Sequence, residues 1–416
     1  MDAYLPLQKI FYRNTSDSRG SAIKNEAKRR LEEASCYRTG IEIASGELFL
    51  AMPKQLSTLS ERLLRVERKI SRLWNDLPGI ARWAYFRGLI MDEIVSTNEI
   101  EGVHSTRRQI QEALESVENK KAAPKNKRFR EFAQLYLELT NNNHVYPKTP
   151  ADIRKIYDAV VAGELADEDQ PDGTLFRKDA VDVLSPSQKA IHVGVTPETK
   201  IISMLEQMLE LVNSTEIPPT YSAIIAHFLF EYIHPFYDGN GRTGRYLLAL
   251  YLGEPLSLPT VLSLSTVIAE NKSNYYRAFK TTEDPLNHAE ITFFVIQIRE
   301  FVRLAQDSLM DNLKHKTREL DLASASLGAL SKKSYNLSKK EVDVVFQIAQ
   351  SYLFGDYPEV LLDGIARDAE ISIQTARKYT LKFEDLGLLK TVSKKPLVFT
   401  LTEKALRLLS LSSCYS

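Results

Sequence analysis

HPFYDGNGRTGR, residues 234–245, is the stretch on which the reading of this chain turns. His234 follows the apolar run AIIAHFLFEYI and precedes Pro235. A residue before proline is pushed out of helical geometry, so a helix is expected to stop at His234. Gly239 and Gly241 permit backbone shapes closed to other residues, and they stand just before RTGRYLLALYL, which has the period of a buried helix. Free N–H groups and the dipole at a helix N-terminus favour an anion, so phosphate is the expected guest of that turn. Arg242 and Arg245, three residues apart on one helix face, reach towards further phosphate groups. Asp238 supplies a hard oxygen suited to Mg²⁺ beside them. GNGRTG also satisfies the G-x-G-x-x-G spacing of dinucleotide folds, but that fingerprint needs a preceding strand, and helical patterns flank it here on both sides.

Working outward, the expected fold class is mainly α. From Leu56 the pattern LxxLxxRLLRVERKISRLW gives the stripe of an amphipathic helix. A second helix is expected from about 80 to 101, ended by Gly102 as a left-handed cap. Further helices fit 106–118, 129–140, 150–162, 221–232, 241–252, 274–281 and 291–313, while residues 1–50 read as irregular or extended. Around the turn-forming Ser-Pro-Ser, the run FRKDAVDVLSPSQKAIHVGV predicts a β-hairpin. The small, polar LASASLGALSKKSYN reads as a linker. These breaks give an N-terminal region over 1–105, a core over 106–320 and a separate domain over 335–416.

The 234–245 stretch resembles the Fic motif HPFx(D/E)GNGRxxR with every defined position present, and the likeness to that family extends over roughly residues 50–310. It implies a protein adenylyltransferase that moves AMP from ATP onto a Ser, Thr or Tyr hydroxyl of target proteins and of itself. By that resemblance His234 is the general base and Asp238 the Mg²⁺ ligand. The turn of Gly239, Asn240 and Gly241 cradles the α- and β-phosphates, and Arg242 and Arg245, with Thr243 and Gly244 between them, complete the nucleotide site. The chemistry agrees: attack at the α-phosphorus needs a base, neutralisation of the pyrophosphate leaving group and in-line positioning. The intact GNGR separates the chain from Doc-like relatives, whose altered glycine element accompanies kinase activity. The phosphate machinery says little about the base, so UMP transfer stays open.

Thr97 and Glu101 lie one turn apart at the end of the second helix, in Thr-Asn-Glu-Ile-Glu-Gly. The pattern resembles the inhibitory motif (S/T)xxxE(G/N) of Fic proteins whose inhibitory helix precedes the core. That resemblance implies autoinhibition, with Glu101 pairing with Arg245 in place of the ATP γ-phosphate. Whether Glu101 also supports removal of AMP stays open. The hairpin occupies the place of the family's target-binding flap, carried here by Ile191, His192 and Val193, with His192 expected to face solvent between two apolar neighbours. ENKSNYYRAF resembles the family's adenine-side helix, with Tyr276 towards the base and Tyr275 in the core.

Residues 338–410 read as helix, helix-turn-helix and β-wing, and so resemble a winged helix. Residues 335–416 hold 11 Lys or Arg and 10 Asp or Glu, weak for a DNA binder, so DNA and protein contact are weighed equally. A rival from another class is a DNA-binding transcriptional regulator whose Fic core senses ATP. With 54 basic and 54 acidic residues, neither disorder nor a polyelectrolyte partner is indicated. Two distant cysteines, a start MDAYLPLQKIFYRN without a basic stretch followed by an apolar one, and no run of about 18 apolar residues lead to the expectation of a cytoplasmic protein without membrane contact. Family analogy implies that a homodimer can form.

Overall fold

The computed structural model describes residues 4–118, 128–141, 143–184, 190–333 and 335–411. It is mainly helical, and two compact units emerge: Met1–Glu67 with Ile90–Gln306, and Arg68–Leu89 with Asp307–Ser416. In chain order the elements are α1 (Leu7–Arg13), α2 (Arg19–Leu31), β1 (Tyr37–Ile43), β2 (Gly46–Leu50), α3 (Lys54–Asp76), α4 (Gly79–Ile100), α5 (Arg107–Glu118), α6 (Arg130–Thr140) and α7 (Pro150–Val160). A short hairpin follows, β3 (Asp182–Leu184) and β4 (Ala190–Val193), and then α8 (Glu198–Asn213), α9 (Pro219–Ile233) and α10 (Asn240–Leu252). The first unit closes with α11 (Leu258–Val261), α12 (Leu264–Glu270), α13 (Lys272–Glu283) and the start of α14 (Thr292–Lys333).

At the centre of this unit lies α9, PTYSAIIAHFLFEYI, where Pro219 opens the helix and nearly every later side chain is buried. A helix apolar on all sides must be wrapped by others, and α8 and α10 pack on it. The hairpin β3–β4 is antiparallel, pairs Asp182 with Val193 and Val183 with His192, and is bulged before Leu184. Its Ser-Pro-Ser turn lies outside the described residues.

Two expectations need correction. Residues 1–50 are not irregular: they form α1, α2 and the hairpin β1–β2. In α2 the buried Ile23, Ala27 and Arg30 recur at helical spacing despite Gly20 and Ser21 in its first turn. Nor does LASASLGALSKKSYN begin as a linker, because α14 runs through it to Lys333. Its alanines, leucines and lysines are strong helix formers, and they outweigh the serines and Gly328.

The second unit contains α15 (Lys339–Phe354), β5 (Glu359–Leu361), α16 (Leu362–Asp368), α17 (Ile373–Asp385), β6 (Leu389–Lys394), β7 (Leu397–Leu401) and α18 (Glu403–Leu409). Its antiparallel sheet has the order β5-β7-β6. Ser338 and Glu341 form a capping box on α15, and the Ser372 hydroxyl accepts from the Thr375 amide to cap α17. Among the described residues no helix is long and apolar enough to cross a membrane.

Candidate active site

Helix α9 stops at His234, as the following proline leads one to expect, but His234 caps it in the left-handed region at φ 51° rather than in extended backbone. Its neighbour Phe236 is fully buried and stacks on Tyr157 with ring centroids 3.5 Å apart, which anchors the loop. Asn240 then clasps that anchor: its Oδ1 accepts from the Phe236 amide (3.0 Å) and its Nδ2 donates to the Phe236 carbonyl (2.7 Å). The Asn240 side chain thus shapes the loop, and only its backbone is left to meet a phosphate. Gly239 sits at φ 79°, where a Cβ would come 2.5 Å from Val161 Cγ1, so both conformation and space require glycine. From Asn240 onwards α10 presents its first-turn N–H groups, which lack intrahelical partners by geometry. The Thr243 hydroxyl donates to Gly239 O at 2.9 Å and tightens that turn.

Both arginines of the stretch are buried and both meet acids. Arg245 donates through Nη2 to Glu101 Oε1 (2.8 Å) and to Thr97 O (3.0 Å), and through Nε to Thr97 Oγ1 (2.7 Å). Thr97 and Glu101, from the end of α4 and just beyond it, therefore grip one guanidinium, while Gly102 turns the chain away at φ 74°. The Glu101 carboxylate also lies over Gly241, where a Cβ would stand 2.1 Å from Oε1. Burial works against the Arg245 charge, yet Glu101 holds its pKa above the ordinary value. Arg242 donates through Nη1 to Glu164 Oε2 (2.8 Å), with Asp238 Oδ2 at 3.7 Å from Nη2. Glu164 is 5% exposed, against 53% for Asp238.

Burial pushes the His234 imidazole down to about 3, with the Arg177 charge adding to the effect. The ring is therefore neutral near pH 7. Its Nδ1–H donates to Glu231 O at 3.3 Å, which leaves the Nε2 lone pair to receive a proton. Glu231 is an addition that the sequence reading missed: its Oε1 is buried without a partner among the described residues, and burial pushes its carboxyl up to about 8 against the pull of Arg245.

On the far side, Tyr275 is core. His227 Nδ1–H donates to Gly244 O at 3.0 Å, and Nε2 accepts from the Tyr275 hydroxyl at 2.7 Å. Tyr276 is half-buried, and burial with the Glu101 charge pushes its hydroxyl up to about 12. Lys272 at the start of α13 donates to Glu99 O at 2.8 Å, tying this wall to α4.

The flap strand departs from expectation at one residue. His192 does not face solvent: Nε2 is 2.7 Å from Tyr232 O and Nδ1 is 3.1 Å from Glu283 Oε2. The bulge before Leu184 and the acceptors awaiting on α9 and α13 turn it inward. Val193 is 55% exposed. Ile191 lies in β4, with its side chain outside the described residues.

Among the described residues no group of three or more His, Cys, Asp or Glu converges as a metal cage. The exposed Asp238 carboxylate beside the phosphate turn fits Mg²⁺ of the kind that takes one protein carboxylate and completes its shell with water and substrate phosphates.

Residues 147–252 match the model of the Fic/DOC family. The chain is 30% identical over 118 residues to the protein adenylyltransferase Fic of Drosophila virilis, covering 28% of this chain and 21% of that protein. It is 40% identical over 74 residues to a probable protein adenylyltransferase of Aquifex aeolicus, covering 18% of this chain and 21% of that one. The chain thus spans about a fifth of the length of these curated relatives. In fold it resembles a Fic family protein from Desulfovibrio desulfuricans, with a TM-score of 0.50 at 17% identity over 85% of this chain and 97% of that one.

Proposed function

We propose, from the premise that this chain carries a Fic domain at residues 147–252, that it is a protein adenylyltransferase restrained by its own Glu101. The observation that carries the reading is the pair of buried arginines on α10, beside a phosphate-shaped turn and a neutral imidazole. In the reaction a Ser, Thr or Tyr hydroxyl oxygen of the target bonds to the α-phosphorus of ATP, and the bond from that phosphorus to the α,β-bridging oxygen breaks. Pyrophosphate leaves, and the hydroxyl proton passes to His234 Nε2. Positioning the attacking oxygen in line supplies much of the rate. The first-turn amides of α10 with Arg242 and Arg245 hold the phosphates, where fixed donors in a partly buried site are worth more than in water. Asp238 would hold Mg²⁺, which supplies charge neutralisation on the phosphates when bound. Tyr276 borders the adenine, and the exposed β4 edge near Val193 receives a target segment by strand addition.

Restraint is electrostatic. Glu101 occupies the guanidinium that the γ-phosphate requires and lies over Gly241, so a productive triphosphate and this carboxylate exclude one another. Intact mass spectrometry of Glu101→Gly incubated with Mg·ATP tests the reading. A gain of one AMP mass that disappears in the added His234→Ala variant supports it, and no gain under any condition sinks it.

A second role falls to residues 335–416. Their order of helix, strand, helix, helix, strand, strand and helix supports the winged-helix reading, and α17 exposes Ile373, Gln374, Arg377, Lys378 and Leu381 along one face. That face supports the rival reading of a DNA-binding regulator, and a gel shift with genomic fragments separates the two.

A further inference from the structure

Arg177 is fully buried, and among the described residues no carboxylate forms an ion pair with it. Burial pulls its pKa below the ordinary value. An arginine is kept there because its planar fork matches an unusual set of acceptors. Nε donates to His234 O (2.7 Å), and Nη2 donates to Val195 O (2.9 Å) and Ile233 O (3.3 Å). Nη1 donates to Asp179 O, and the Arg177 backbone amide to Pro235 O (3.2 Å). Asp179 precedes β3 and Val195 follows β4, so both roots of the flap meet at one guanidinium. Ile233 and His234 are the last carbonyls of α9, where a cation complements the helix dipole. Space is equally tight: a Cβ on Gly194 would stand 2.3 Å from Arg177 Nη2 and 3.2 Å from His234 Cβ.

We propose that Arg177 is the positioning residue that registers the flap against the base, fixing both roots of the β3–β4 hairpin and the His234 carbonyl in one frame. A segment docked on β4 thereby brings its hydroxyl to His234 Nε2. This rests on the adenylyltransferase reading above. The phosphate-binding elements, residues 238–245, contribute nothing to the Arg177 contacts, so nucleotide binding and base placement should separate. The charged and titratable groups that act electrostatically on the His234 ring include Arg177 itself, His192 on β4 and Asp238 in the loop. Of these Arg177 and His192 oppose protonation of the ring, and Asp238 favours it.

The test uses the full chain carrying Glu101→Gly, with Arg177→Lys, Arg177→Met and Gly194→Ala added singly. ATP affinity is read by calorimetry, self-modification by AMP incorporation, and the His234 imidazole by NMR titration of ¹³C-histidine protein assigned with His234→Ala. Arg177→Lys keeps the charge but loses the fork: ATP affinity should stay within about twofold while self-modification falls about tenfold or more, the scale of a misplaced reacting group. Arg177→Met also loses the charge, so the His234 midpoint should move upward relative to Arg177→Lys. Should Arg177→Met not fold, Gly194→Ala, which displaces the fork, should reproduce the split between affinity and rate. Parallel loss of affinity and rate, unchanged self-modification in Arg177→Lys, or one His234 midpoint in both Arg177 variants overturns the proposal. If the Glu101→Gly parent itself transfers no AMP, the adenylyltransferase reading fails, and the NMR comparison still decides whether Arg177 governs the imidazole.

Discussion

Replacing Glu101 by glutamine keeps its volume and removes its charge, leaving the guanidinium of Arg245, at 2% exposure, with the Thr97 bonds and a neutral amide oxygen in place of a carboxylate. Breaking a buried ion pair from one side costs about 3–5 kcal/mol, and a figure of about 2–3 kcal/mol fits here, because Glu101 is 28% exposed and the Thr97 bonds persist. At about 2–4 °C per kcal/mol the ligand-free Tm should fall by about 4–12 °C. The same free energy bounds what ATP gains when it no longer competes with the carboxylate, so its Kd should tighten by at most about 30-fold for 2 kcal/mol and about 150-fold for 3 kcal/mol. The two effects have opposite signs and a common origin. Scanning calorimetry with and without Mg·ATP, beside titration calorimetry, reads both. ATP should raise the Tm of Glu101→Gln by more than that of the parent, recovering about 2.7 kcal/mol at 100 times Kd. A ligand-free Tm that is unchanged or higher, together with an unchanged Kd for ATP, would refute the reasoning.

Three other outcomes are expected. His234→Ala in the Glu101→Gly background should bind ATP normally and lose about 10²–10⁴ in transfer rate, measured in single turnover with radiolabelled ATP. Gly239→Ala forces a side chain into φ 79° and against Val161; the left-handed conformation alone costs about 1–2 kcal/mol, so both Tm and ATP binding should drop. Glu231→Gln should flatten a pH dependence. The folded carboxyl is held up to about 8, whereas an unfolded one titrates near about 4.3. Between these values the native state binds a proton that the unfolded state releases, so its contribution falls as pH rises, by at most about 1.4 kcal/mol per pH unit. Urea midpoints from pH 5 to 8 should decline less steeply in the variant than in the parent.

The turn between α9 and α10 was legible because its constraints are local. Pro235 stops one helix, Gly239 permits the turn and the periodicity of α10 restarts the next, all within a few residues. Gly102 announced the end of α4 in the same way. What escaped depends on partners distant in sequence. Arg177 meets a carbonyl 57 residues away, and Glu164, in the acidic run GELADED that resembles a solvated loop, is buried by Arg242, 78 residues on. Alternation in the strand points His192 to solvent, whereas its direction follows from Tyr232 and Glu283 on neighbouring helices. In α2 the helical period was present, and Gly20 and Ser21 obscured it.

The buried file of Gly244 O, His227 and the Tyr275 hydroxyl links α10, α9 and α13 through two hydrogen bonds. Burial drives the His227 imidazole down to about 3, so this spacer stays neutral near pH 7. The spacing between α10 and the helix bearing Tyr276 is therefore held by a neutral hydrogen-bonded file.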